Sequence, residues 1–178
     1  RKNVRIIYNA LDLPDGGYHI MQKDDPFIII SASRFIPHKR IPALIDTLAP
    51  TFSPSSKLIL FGSSDNLTEL NKVGDAIKRN NLESRISLFT NKITEKDYDY
   101  FRQASVYISN SLEEGFPNVF VEAMHFGLPI ISTNVGGCSE IVKNGETGFL
   151  FNPMNAEELV EKIKILMKLK GLVLKKET

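Results

Sequence analysis

Three stretches of the chain carry residue types suited to anions and hydroxyl groups. In S-R-F-I-P-H-K-R, Arg34 and Lys39 follow an apolar run and stand at the mouth of an expected helix. The N-terminus of a helix favours anions and disfavours cations. Two cations there are accounted for by a diphosphate lying between them, and equally by a solvated strand end. In S-L-E-E-G-F-P-N-V-F-V-E-A-M-H-F-G-L-P, the positions Asn118, Glu122 and His125 fall at i, i+4 and i+7 of an otherwise apolar helix. A carboxylate on such a helix needs a hydrogen-bond partner, because leaving a buried polar group unpaired costs about 1–3 kcal/mol. Glu122 fits a vicinal diol such as a ribose, or else the stripe faces water. Glu114 stands in the loop before this helix, and Gly115 with the helix start beside it offers an anion seat. In N-V-G-G-C-S-E, Gly136 and Gly137 allow a close backbone approach, and Ser139 is placed to cap a short helix.

These residues must be positioned by the segments between them. Seven short β-branched or aromatic runs read as strands: Val4–Tyr8, Phe27–Ser33, Lys57–Gly62, Arg85–Thr90, Ser105–Asn110, Pro129–Thr133 and Gly148–Phe151. Helical periodicity falls between them, at Arg40–Ala49, Asn66–Asn80, Glu95–Gln103, Pro117–Phe126 and Ala156–Lys168. The runs F-I-I-I-S and L-I-L-F are nearly continuously apolar, as strands covered on both faces must be. Strict alternation of strand and helix predicts a doubly wound, Rossmann-like α/β domain: a parallel sheet with helices on both faces. In such a sheet ligands bind beyond the carboxyl ends of the strands, which is where all three stretches lie. One domain is expected over 1–178, with an entering strand and loop at 1–26 and a tail at 169–178.

Composition narrows the function. The chain of 178 residues balances 22 Lys+Arg against 21 Asp+Glu, which argues against a nucleic-acid partner bound through a large basic excess. Its one cysteine, Cys138, excludes a disulfide framework and points to a cytoplasmic setting. Without a suitably spaced histidine, Cys138 reads as a small inert core residue. The three histidines, at 19, 38 and 125, lack metal-ligand spacing, so no metal is expected. No G-x-G-x-x-G follows any strand, which argues against a dinucleotide-dependent oxidoreductase. From Lys162 onward stand six lysines and one glutamate, a pattern read as a solvated face that also allows peripheral contact with the inner face of a membrane.

Taken in order, S-R-x-x-x-x-K-R, E-G-F-P-N-V-x-x-E-A-M-x-x-G-x-P-I-I-x-T and G-G-x-x-E-I-V-x-x-G-x-x-G-F-L resemble the group 1, or family 4, retaining glycosyltransferases of the GT-B fold. The resemblance runs from about Val4 to Lys168 and covers the C-terminal, nucleotide-sugar-binding half of that fold. It implies a missing N-terminal acceptor domain, in keeping with a chain that begins at Arg1. By that resemblance Arg34 and Lys39 hold the donor diphosphate. Glu114, the first acid of E-x₇-E, is the catalytic position that contacts the transferred sugar. Glu122, the second acid, takes the ribose. Gly115, Phe116, Pro117, Asn118 and Val119 lie near sugar and phosphates, and Phe89 and Thr90 lie by the base. No metal or other cofactor is implied; the donor is a nucleoside-diphosphate sugar and the acceptor a glycan or lipid-linked molecule. The loop G-S-S-D-N departs from the family's frequent G-x-G. The alternatives are a nucleotide-sugar 2-epimerase and a nucleotide-binding module without catalysis.

Overall fold

Successive side chains of a strand point to opposite faces, so a continuously apolar run can serve two cores at once. The computed structural model describes residues 11–14, 25–63 and 67–169. The expected strand Val4–Tyr8, most of the loop Leu11–Pro26 and the tail beyond residue 169 lie outside them. The six described strands are β1 (Ile28–Ala32), β2 (Lys57–Phe61), β3 (Ile86–Phe89), β4 (Val106–Ser109), β5 (Ile130–Thr133) and β6 (Gly148–Phe151). They form one sheet in the order β3-β2-β1-β4-β5-β6, with every pairing parallel. The helices are α1 (Ile41–Leu48), α2 (Leu67–Arg79), α3 (Tyr98–Gln103), α4 (Asn118–His125), α5 (Cys138–Ile141) and α6 (Ala156–Leu169).

Ile29, Leu58, Leu60, Val106 and Ile108 pack with Leu44 and Ile45 of α1, Val73 of α2 and Ile163 of α6. Their strand neighbours Ile28, Ile30, Ile59 and Tyr107 pack on the opposite face with Phe101 of α3, Phe120 and Ala123 of α4, and Cys138 of α5. Full burial of one such aliphatic or aromatic side chain is worth about 1.5–3 kcal/mol, so these two cores dominate the energetics of the sheet. The doubly wound architecture expected from the alternation is the one observed. No helix among the described residues is long and apolar enough to cross a membrane.

Local departures from the expected boundaries have identifiable causes. The helix expected at Arg40–Ala49 begins at Ile41, after a 3-10 turn at Pro37–Lys39. Arg40 between them adopts φ +52°, uncommon for any residue but glycine. Its guanidinium is anchored on the Pro153 carbonyl, and its N–H donates to the Pro37 carbonyl. The helix expected at Glu95–Gln103 opens as a 3-10 turn, Glu95–Asp97, where Thr94 and Asp97 form a reciprocal capping box. Pro117 sits at the N-cap of α4, just outside the helix. At the other end Gly127 (φ +72°) turns the chain, and the Leu128 N–H reaches back to the Ala123 carbonyl at 3.0 Å. Ser139 does not cap the short helix: α5 begins at Cys138, Gly137 holds the N-cap, and no side chain caps it.

Candidate functional site

The sheet forks at its C-terminal edge. β1 pairs with β4 only at Ile29–Val106 and Ile30–Tyr107, and the Tyr107 hydroxyl then donates to the Ala32 carbonyl (2.8 Å). From β1 the chain continues to β2 on one side, and from β4 it continues to β5 on the other, the topological switch at which open α/β sheets bind ligands. A cleft of about 590 Å³ opens there. Its walls come from Ser33 and Arg34 after β1, Gly62 and Ser63 after β2, Asn91–Ile93 after β3, and Glu114 after β4. Lys39 and the N-terminal half of α4 complete it, through the N-cap Pro117 and through Asn118, Val119 and Glu122. Arg34, Lys39, Glu114, Pro117, Asn118, Val119 and Glu122 of the expected site residues therefore share one cavity.

Lys39 and Glu114 meet across the fork. The Lys39 ammonium donates to Glu114 Oε1 at 2.6 Å, with each side chain 12% exposed. The Ser111 hydroxyl donates to the same oxygen, also at 2.6 Å. Ser111 is buried and held in turn by the Thr133 hydroxyl on its carbonyl (2.6 Å), with the Ser109 hydroxyl 3.2 Å from its own. The Leu112 N–H donates to the His38 carbonyl at 2.7 Å, so backbone as well as side chain joins the loops after β1 and β4. Arg34 is exposed on the rim of the cleft.

Glu122 differs from Glu114. It is half-buried on the first turns of α4, and no described side chain forms an ion pair or hydrogen bond with it. Burial alone pushes its carboxyl above the ordinary carboxylate range. Its charge also helps, after burial, to raise the neighbouring Tyr98 phenol. The N–H of Val119, one position into the helix, lies where intrahelical pairing leaves donors unused.

Other expected residues lie elsewhere. Phe89 pairs in register with Phe61 and stacks on it, ring centroids 4.6 Å apart, so it backs a cleft-lining ring without lining the cleft itself. Thr90, the next residue along, turns to the opposite side and lines a separate groove with Leu70, Asn71 and Gly74. Strand alternation separates the two, and the residues after them, Asn91, Lys92 and Ile93, reach the cleft instead. Gly115 and Phe116 do not line it; the Gly115 carbonyl accepts from the Gly137 N–H at 2.8 Å. His125 leaves the stripe of Asn118 and Glu122: it is exposed, and its Nε2 donates to the Pro14 carbonyl at 2.7 Å.

The glycine pair admits protein. A Cβ on Gly136 (φ +50°) would lie 1.6 Å from the Glu114 carbonyl oxygen, and one on Gly137 would lie 2.3 Å from that of Gly115. Both glycines therefore make room for the loop that carries Glu114. Cys138 is buried, and desolvation pushes its thiol up, opposite to what a nucleophile requires. Among the described residues no three His, Cys, Asp or Glu side chains group closely enough to hold a metal ion. The pair of Ser111 and Thr133 carries no sequence signal, since isolated hydroxyls at strand ends are common; Asn91 and Lys92 were visible as polar residues beyond a strand.

Comparison with known proteins identifies the family and agrees with the fold. The profile of the family described as glycosyl transferases group 1 matches residues 20–177. An uncharacterised glycosyltransferase of Methanocaldococcus jannaschii is 35% identical over 129 residues, which is 72% of this chain and 35% of that protein. The capsular polysaccharide biosynthesis glycosyltransferase CapM of Staphylococcus aureus is 28% identical over 152 residues, 84% of this chain and 39% of that one. This chain thus spans well under half the length of either curated relative. Among solved structures, Anabaena HepE in complex with UDP superimposes with a TM-score of 0.73 at 27% identity, covering 83% of this chain and 40% of that one.

Proposed function

This chain belongs to the group 1 glycosyl transferases, and from that premise we propose that its cleft holds the nucleoside-diphosphate sugar of a retaining, metal-independent sugar transfer. Arg34 and Lys39 bind the diphosphate, Glu122 accepts hydrogen bonds from the ribose diol, and Glu114 contacts the hydroxyls of the transferred sugar. Asn91–Ile93 lie on the side where the base would sit. The observation that carries this assignment is the convergence of two cations and two carboxylates on one cleft at the fork between β1 and β4. A half-buried carboxylate with no side-chain partner among the described residues suits a diol, which supplies two donors and no charge.

Cations in a partly enclosed site stabilise a diphosphate leaving group, the task that a divalent metal performs in other transferases. We infer further that this chain is the donor-binding half of a longer enzyme whose acceptor is a glycan or a lipid-linked molecule. The polysaccharide role in the name of the Staphylococcus relative supports that acceptor class. Alignment of an acceptor hydroxyl with the sugar needs a second wall, so donor binding without transfer is the expected behaviour of these residues alone.

A thermal-shift screen of the chain against UDP-, GDP- and ADP-sugars tests the assignment. A donor present at 100 times its dissociation constant stabilises the fold by about 2.7 kcal/mol. No shift with any nucleoside-diphosphate sugar at millimolar concentration would overturn it.

A further inference from the structure

We propose that the Lys39–Glu114 ion pair is a latch that makes the cleft favour an intact nucleoside-diphosphate sugar over the free nucleoside diphosphate. The latch presupposes the donor site argued above and adds a means of discrimination to it. Lys39 Nζ and Ser111 Oγ both donate to Glu114 Oε1, each at 2.6 Å, and the paired side chains are largely shielded from water. Attraction between charges so placed is stronger than at an open surface. A diphosphate that recruits Lys39 must therefore draw it away from Glu114.

What happens next depends on the ligand. An intact donor carries sugar hydroxyls, which can take the place of Lys39 as donors to the carboxylate. A free diphosphate has none. It leaves Glu114 with Ser111 alone, and its terminal phosphate adds negative charge on the side facing that carboxylate. The same site thus opens at lower cost for the intact donor than for the diphosphate.

The surrounding structure suits this exchange. Leu112 and His38 hold the two loops together through backbone at 2.7 Å, so Lys39 can change partners without the fork parting. Ser111, itself fixed by the Thr133 hydroxyl on its carbonyl, keeps Glu114 anchored when the lysine leaves. Ser111 is on this account a positioning residue.

Isothermal titration of the 178-residue chain with UDP and UDP-glucose, or with the base and sugar that the screen selects, tests the latch. Glu114→Gln should bind the diphosphate about five- to tenfold more tightly and the intact donor no more tightly. In a Lys39→Ala background the same substitution should bring a smaller gain, about twofold, from relief of charge repulsion alone, because the released lysine is its main source. Ser111→Ala, a smaller change that leaves the ion pair in place, should weaken the diphosphate about threefold more than the intact donor. An unchanged diphosphate affinity in Glu114→Gln, a gain that persists in full without Lys39, or equal effects of Ser111→Ala on both ligands would overturn the latch. Arg34→Ala separates this from the donor site itself. If wild type binds no nucleoside diphosphate, or binds it no better than Arg34→Ala does, the donor site fails and the latch with it.

Discussion

Glu122→Gln should stabilise the unliganded protein while weakening its hold on a nucleotide. The carboxylate is half-buried on α4 with no described side chain paired to it, and desolvation raises its carboxyl above the ordinary value of 4.5. A carboxyl raised on folding stabilises the fold most in its protonated form. That contribution is complete below the unfolded-state value and is lost as pH climbs through the raised folded-state value. At pH 7–8 the wild type bears the cost of a poorly solvated charge, which a neutral glutamine of the same shape avoids. The melting temperature of Glu122→Gln should therefore exceed that of wild type at pH 8, and the difference should shrink towards pH 5. Ligand binding reverses the sign. Neither carboxylate oxygen pairs with a side chain among the described residues, so a ribose diol can donate to each. Glutamine keeps one acceptor and presents an amide donor where the other stood. One charge-assisted bond is then lost and the other becomes neutral, a loss of about 1.5–3 kcal/mol, or roughly 10- to 150-fold in affinity. Calorimetry with a nucleoside diphosphate and its 2′,3′-dideoxy counterpart isolates the diol. Equal losses for both ligands, or a melting temperature indifferent to pH, would refute the reasoning.

Arg34→Ala should lower nucleoside-diphosphate affinity about tenfold or more by removing a charge-assisted contact, and should leave the free nucleoside unaffected in the same titration. Gly136→Ala forces a methyl onto the Glu114 carbonyl in a left-handed backbone conformation and should destabilise by about 2–4 kcal/mol in urea unfolding. Gly74→Ala in α2 meets nothing within 4 Å and should stabilise by about 0.5–1 kcal/mol, so equal shifts in the two variants would sink the steric argument. Donor affinity should persist within twofold in excess chelator, measured calorimetrically, because Arg34 and Lys39 supply the positive charge; loss of binding would assign that charge to a metal.

The architecture was legible because both faces of the sheet are buried. Runs such as Phe27–Ala32, apolar but for Ser31, are what strands covered on both faces require, and the turn signals between them separate one strand from the next. The polar stripe on α4 was legible in part: Asn118 and Glu122 reach the cleft, whereas His125 rotates out to the Pro14 carbonyl. Residues joined over long sequence separations were not legible. Lys39 and Glu114 lie 75 positions apart, and nothing in the spacing of either stretch shows that they touch. Phe89 and Thr90 stand outside the cleft lining for a smaller reason. The Phe89 ring packs on Phe61 while Thr90 turns to the other side, and the chain after β3 reaches the cleft only from Asn91 onward. Gly136 and Gly137 announced a close approach, but composition does not say what approaches, and the partner is the protein's own loop.

The Tyr107 phenol has a consequence for how this cleft can change over time. Its hydroxyl takes the place of a strand residue, serving the Ala32 carbonyl at 2.8 Å and the Ala32 N–H at 3.3 Å where β4 no longer runs alongside β1. The seam is thereby closed from beneath by a side chain of the buried layer, and its last backbone groups ask nothing of the loops above. Lengthening, shortening or exchanging those loops leaves the edge of the sheet hydrogen-bonded as before. The lips of the cleft can diverge in sequence to suit another ligand while the floor stays the same, so that one scaffold supports many specificities.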